Sequence, residues 1–174
     1  MIEINTAEIK SFAEKLHACD DVLLSGTVYT ARDAAHMRMI KMLDKGEKLP
    51  IDINGAVIYY AGPTPAPEGA VIGSAGPTTS GRMDEFTPSL YDLGLGATIG
   101  KGQRNKSVCE AIIRNKAPYF IAIGGAGALY ARHITSCEII AFEELGCEAI
   151  RKLTFHNFPV YTAIDCFGGN IFNA

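Results

Sequence analysis

Three short segments place cations and hydroxyls beside glycine, where a chain turns. The first runs Ser25-Gly26-Thr27-Val28-Tyr29-Thr30-Ala31-Arg32-Asp33-Ala34-Ala35-His36. Arg32 falls at the expected start of a helix, where the dipole favours anions over cations. A bound anion resolves that mismatch, because a guanidinium can grip a carboxylate bidentately. Taken alone, Arg32 reads equally well as a surface ion pair with Asp33 or a glutamate. The second segment is Gly76-Pro77-Thr78-Thr79-Ser80-Gly81-Arg82-Met83-Asp84. Three consecutive hydroxyls in a turn that opens a helix can hydrogen-bond an anionic ligand while Arg82 supplies charge. The competing reading is an ordinary turn and helix cap. The third is Gly100-Lys101-Gly102. Its glycines let a ligand approach the backbone and leave the ammonium accessible, although an exposed turn lysine looks the same. It is not a GxxxxGK[ST] phosphate loop, since Gly102 and Gln103 follow Lys101.

Arg32, Arg82 and Lys101, with Thr78 and Thr79 nearby, suit a small dicarboxylate. Each charge-assisted hydrogen bond to such a ligand is worth about 1.5–3 kcal/mol. The set has no electrophile, however. Removing water from a hydroxy acid needs a Lewis acid or strong acid–base help to make hydroxide leave. The chemistry is therefore incomplete within this chain.

Other motifs add little. Gly124-Gly125-Ala126-Gly127-Ala128 fails the GxGxxG dinucleotide pattern at Tyr130 and reads as tight strand-to-helix packing. His17, His36, His133 and His156 are scattered; His36, four residues after Arg32, is the one placed to support the first segment. There is no GxSxG and no HExxH. Cys19, Cys109, Cys137, Cys147 and Cys166 are odd in number and widely spaced, with no CxxC pair. They predict reduced core thiols and no metal or iron–sulfur site of the chain's own.

The elements that must position these residues alternate. Helices are expected over Thr6–Ala18, Ala31–Lys45, Met83–Leu93, Ser107–Lys116 and Ala126–His133. Asn5 with Glu8 and Ser107 with Glu110 offer capping boxes. Strands are expected at Val22–Leu24, Ala56–Tyr60, Ala70–Ser74, Ala97–Ile99, Tyr119–Ile123, Glu138–Ala141 and Val160–Ile164. The proline-rich turn between Ala56–Tyr60 and Ala70–Ser74 predicts a hairpin. Alternation through the second half predicts βαβ units. The 174 residues, 48% hydrophobic and 20% charged, fit one α/β domain with a mixed sheet. A formal charge of −3 gives no general reason to bind nucleic acid or an anionic membrane. With no signal peptide and no long apolar run, a cytoplasmic protein is expected.

The strings SGTVYTARDAAHMR, GPTTSGRMD, IGKG and IGGAGAL, in that order, resemble the C-terminal region of class I fumarases and the β subunits of their two-subunit relatives. The resemblance runs from about Asp21 to Asp165. Related tartrate dehydratase β subunits look similar but favour TTSMRME and CRDVCH; Ala31, Ala34, Ala35, Gly81 and Asp84 side with fumarase. It implies a swivelling β/β/α domain over residues 1–174 and a hydro-lyase that reversibly hydrates fumarate to (S)-malate. It further implies a four-iron–four-sulfur cluster carried by an α subunit, with none bound here, and a higher oligomer. By motif match, Arg32, Thr78, Arg82 and Lys101 would bind substrate, and Thr78 would be the base that exchanges the C3 proton. Asp33, His36, Thr79 and Asp84 would support them. A threonine hydroxyl is a poor base, so an α-subunit group, such as a carboxylate, would have to activate it. The alternatives are a dehydratase β subunit for L-tartrate or another 2-hydroxy-dicarboxylate, or a non-catalytic small-acid binding module.

Overall fold

The computed structural model describes residues 1–173. Seven strands are present: β1 (Ile2–Asn5), β2 (Asp21–Thr30), β3 (Val57–Tyr59), β4 (Ala97–Gly100), β5 (Tyr119–Ile121), β6 (Ile134–Ala141) and β7 (Ile150–Ile164). The helices are α1 (Ile9–Phe12), α2 (Asp33–Asp44), α3 (Thr87–Asp92), α4 (Lys106–Asn115) and α5 (Gly127–Ala131), with 3-10 turns between some of them. The sheet is mixed. β1 through β5 pair in parallel, while β7 runs antiparallel to β2, β5 and β6.

Because β7 pairs with both β2 and β5, the pairings close into a ring. β2 and β7 form a long ribbon, from Asp21 opposite Tyr161 to Tyr29 opposite Lys152. One apolar cluster lies inside the ring. It includes Val28, Val57, Tyr59, Ile99, Phe120 and Phe158, with Ile9 of α1 and Leu16 just after the N-terminal helical segment. A second cluster covers the outer face of the parallel strands. There Ile58, Tyr60 and Tyr119 meet Ala35 and Met39 of α2, Leu90 and Tyr91 of α3, and Val108 and Ile112 of α4. Successive residues of β3 therefore point into different cores, and the strand is apolar throughout for that reason. The result is the expected α/β fold with a mixed sheet; its seven strands form one sheet that closes on itself, with helices on its outer face.

Several local expectations change. The ribbon strands are longer than their apolar cores predict. Gly26, at φ 115°, lies at an irregularity of the β2–β7 register instead of ending β2. Ala70–Ser74 forms no strand and the hairpin is absent. Pro63, Pro65 and Pro67 carry no N–H to donate to a ladder. Thr64 instead ties the loop across: its N–H donates to the Ser74 carbonyl (3.1 Å) and its hydroxyl accepts the Ser74 N–H (2.8 Å). The first helical segment ends at Lys15 and is mostly 3-10, with Asn5 capping it through the Ala7 N–H. α4 is capped by Asn105, whose side-chain oxygen accepts the Val108 N–H at 3.0 Å. The expected Ser107–Glu110 box does not form; Ser107 lies inside the helix and donates to Asn105.

Candidate active site

The C-terminal ends of β2, β3, β4 and β5 lie side by side, because those strands are parallel neighbours. The Arg32 and Lys101 segments leave from the ends of β2 and β4, and the Gly76–Asp84 turn comes back onto the end of β3. Parallel α/β sheets bind ligands there.

Arg32 follows β2 and occupies the N-cap position of α2. Its side chain is half-buried against Gly62, where a Cβ would come within 2.9 Å of the guanidinium. Its Nε lies 3.6 Å from Glu148 Oε1 and 4.0 Å from Asp33 Oδ2, and none of these three atoms has a hydrogen-bond partner among the described residues. Arg82 reaches the same place from the turn after β3: its Nε donates to Asp33 Oδ1 at 2.9 Å. Asp33 thus lies between the two arginines.

The threonine turn and the lysine turn are stitched together. Thr78 N–H donates to the Tyr60 carbonyl at 2.7 Å. Thr79 pairs with Lys101 in parallel register. Ser80 N–H donates to the Lys101 carbonyl (2.9 Å), and Lys101 N–H donates to Ser80 Oγ (3.1 Å). A Cβ on Gly100 would overlap the Ser80 hydroxyl, so glycine is required for that interlock. The Lys101 side chain extends toward the end of β5, its Nζ 3.7 Å from where a Cβ on Gly124 would sit. Gly127 packs directly on Ser74 and Gly76, holding the base of the threonine loop. Three cations against two carboxylates leave this end of the sheet locally positive in a chain of net charge −3.

The supporting residues divide. His36 is fully buried, with its ring against Tyr60 and Phe86. Its Nδ1–H donates to the Arg32 carbonyl at 2.8 Å, which fixes the tautomer. Burial lowers its pKa from the usual 6.5 to about 4, the hydrogen bond to Arg32 opposing this only in part. It is neutral at physiological pH. Asp84 contacts neither Arg32 nor Arg82; it is buried and accepts from Arg104 Nε and the Asn105 N–H, both at 2.6 Å. Among the described residues no carboxylate hydrogen-bonds to the Thr78 hydroxyl.

Sequence reasoning missed Glu148, Ser80, Arg104 and Tyr119. Glu148 belongs to the 3-10 segment Glu143–Glu148, far from Arg32 in the chain, and no motif marks it. Ser80 was legible as a turn hydroxyl, but its role against Gly100 requires the register of two loops.

Of three depressions of about 450, 360 and 460 Å³, none is lined by Arg32, Thr78, Arg82 or Lys101; the first is bordered by Pro63 and Cys147, the chain neighbours of Gly62 and Glu148. Among the described residues no group of three or more His, Cys, Asp or Glu could hold a metal ion, so these side chains do not fit an iron–sulfur cluster. All five cysteines are free, but the expected core placement holds only for Cys166: Cys19 and Cys147 are exposed, and Cys109 and Cys137 are half-buried. No described helix is long and apolar enough to cross a membrane.

Comparison with known proteins gives this geometry a family. A family model described as Fumarase C-terminus matches residues 1–174. The chain is 40% identical to "Fumarate hydratase 2" of Leishmania major over 154 residues, covering 87% of this chain and 27% of that protein. It is 41% identical to "Fumarate hydratase class I, aerobic" of Escherichia coli (strain K12), covering 86% and 28% respectively. It therefore spans just over a quarter of the length of those fumarate hydratases. A "Putative L(+)-tartrate dehydratase subunit beta" of Methanocaldococcus jannaschii is 38% identical over 169 residues, covering 94% of this chain and 87% of that one. With its whole length matched and its cation-bearing turns gathered at one end of the sheet, the chain belongs to the Fumarase C-terminus family.

Proposed function

We propose that this chain supplies one half of a hydro-lyase site that reversibly hydrates fumarate to (S)-malate, the other half lying on an iron–sulfur α partner. The observation that carries this is the gathering of Arg32, Arg82 and Lys101 at adjacent strand ends, on an open face with no electrophile of its own. The names of the relatives support the substrate class. The free cysteines agree with a reducing, cytoplasmic setting.

A four-iron–four-sulfur cluster on the partner would supply the Lewis acid. This chain's residues do the rest of the work assigned to it. Arg32 and Arg82, set by Asp33, bind one end of the dicarboxylate with their free guanidinium nitrogens. Lys101 neutralises the other end as a point charge. Charge neutralisation also makes the C3 proton of malate easier to remove, since the developing carbanion lies beside a bound carboxylate. Thr78 presents its hydroxyl to that proton. It acts as the base only if a partner group, proposed to be a carboxylate, takes its own proton.

The dehydration of L-tartrate or another 2-hydroxy-dicarboxylate is the second reading. It is favoured by the near-complete mutual coverage with the putative tartrate dehydratase subunit. Anaerobic coexpression with the α partner, followed by assays on fumarate, malate and tartrate, separates the two. In that assembly Arg82→Ala is expected to raise KM about ten- to a hundredfold, the equivalent of one charge-assisted contact. Thr78→Ala is expected to reduce kcat strongly. Full activity in both variants rejects this site; tartrate outpacing malate by a wide margin selects the second reading.

A further inference from the structure

Arg104 lies behind the open site and touches none of the groups offered to substrate. Its side chain is wholly buried. Nε donates to Asp84 at 2.6 Å, and Nη2 donates to Thr87 Oγ1 at 2.8 Å. Weaker bonds of 3.3 Å run from Nη1 to Thr98 and from Nη2 to Tyr60 Oη. The guanidinium also packs on two rings, 5.2 Å from the centroid of Tyr60 and 4.9 Å from that of Tyr119. A buried ion pair is weak grounds for stability, because desolvation offsets its Coulomb gain. Packed apolar side chains would fill the space as well. Where the two rings lead suggests another use.

Tyr60 presents its carbonyl to Thr78 N–H. Tyr119 Oη donates to the Gly102 carbonyl at 2.7 Å and lies 2.9 Å from Ser80 Oγ. Ser80 in turn receives the Lys101 N–H. The Lys101 turn is thus gripped through the carbonyl of its following glycine, its own N–H and its own carbonyl. Each grip passes through Tyr119 or Ser80. One buried cation braces both the threonine turn and the lysine turn from below. Burial raises the Tyr119 pKa, so its hydroxyl stays a donor.

We propose that Tyr119 and Ser80, packed from below by Arg104, are positioning residues for the hydration reaction that fix the Lys101 ammonium relative to Thr78. This rests on the function proposed above. A looser Lys101 turn weakens substrate binding, and displacements of about 1 Å at such a site can cost about a hundredfold in rate.

The test is a double-mutant cycle in the assembled enzyme. Tyr119→Phe keeps the ring on Arg104 and removes only the hydroxyl. Lys101→Met removes the group that hydroxyl is held to serve. Tyr119→Phe is expected to raise KM for malate about tenfold, and Lys101→Met more. The double variant should match Lys101→Met within about twofold, because a positioning effect vanishes once its target is gone. Ser80→Ala should show the same non-additivity. A merely structural role predicts losses that multiply, and multiplied losses overturn the proposal. So does an unchanged KM in Tyr119→Phe. An assembly whose wild type hydrates nothing sinks the hydration reading and the proposal with it; an active wild type with multiplied losses sinks the proposal alone.

Discussion

His36 shows how a single side chain can support the proposed anion site from behind. Its ring is buried on Tyr60 and Phe86 and donates to the carbonyl of Arg32, the residue at the entry to α2. Burial, not that bond, keeps the ring neutral, with a pKa of about 4. The unfolded chain takes up that proton near pH 6.5, well above the folded value. The stability this residue provides is therefore fully present above about pH 6.5 and lost as pH falls through about 4. Between pH 7.5 and pH 5 the loss should be about 2 kcal/mol. Urea unfolding at the two pH values measures it. His36→Gln should unfold with a clearly smaller pH dependence, and an equal dependence in both proteins contradicts the assignment. Arg32, Arg82 and Lys101 were legible from sequence because each stands in a glycine-bearing segment where the chain turns. Arg104 was not, since a lone arginine after Gly102-Gln103 looks solvent-facing. Its burial depends on Tyr60, Asp84, Thr87, Thr98 and Tyr119, which only the folded sheet brings together.

At the scale of elements, the parallel run from β2 to β5 does the positioning. Its strands were legible because they are apolar and end in glycine or hydroxyl turns. The ribbon of β2 and β7 was only half legible. Gly26 and the break at Asn157, with φ 48°, look like strand ends, yet irregular register lets both strands continue. The hairpin after β3 does not form: Pro63, Pro65 and Pro67 carry no N–H to donate to a ladder, and ties from Thr64 hold that loop instead. Helix α4 offers a clean discrimination between two caps. Asn105 accepts the Val108 N–H, whereas Ser107 is already inside the helix. Asn105→Ala should therefore destabilise the protein by about 1 kcal/mol, and Ser107→Ala by much less. Thermal unfolding of the two variants checks this; the reverse order contradicts the cap seen here.

For the whole molecule, the decisive feature is what the ring of strands leaves open. Its interior and helical face are filled, while the strand-end face presents three cations, two carboxylates and a threonine hydroxyl with no carboxylate at hand to activate it. That the cations could form an anion site was legible from residue types alone, before the fold placed them together. The shape of the face was not, because it depends on closure between β7 and both β2 and β5. The most direct measurement expresses this chain, the iron–sulfur partner, and both together, and assays fumarate hydration anaerobically in each. Hydration only when the two are together is the predicted result. Turnover by this chain alone, or a full rate from the partner without it, would contradict a shared site.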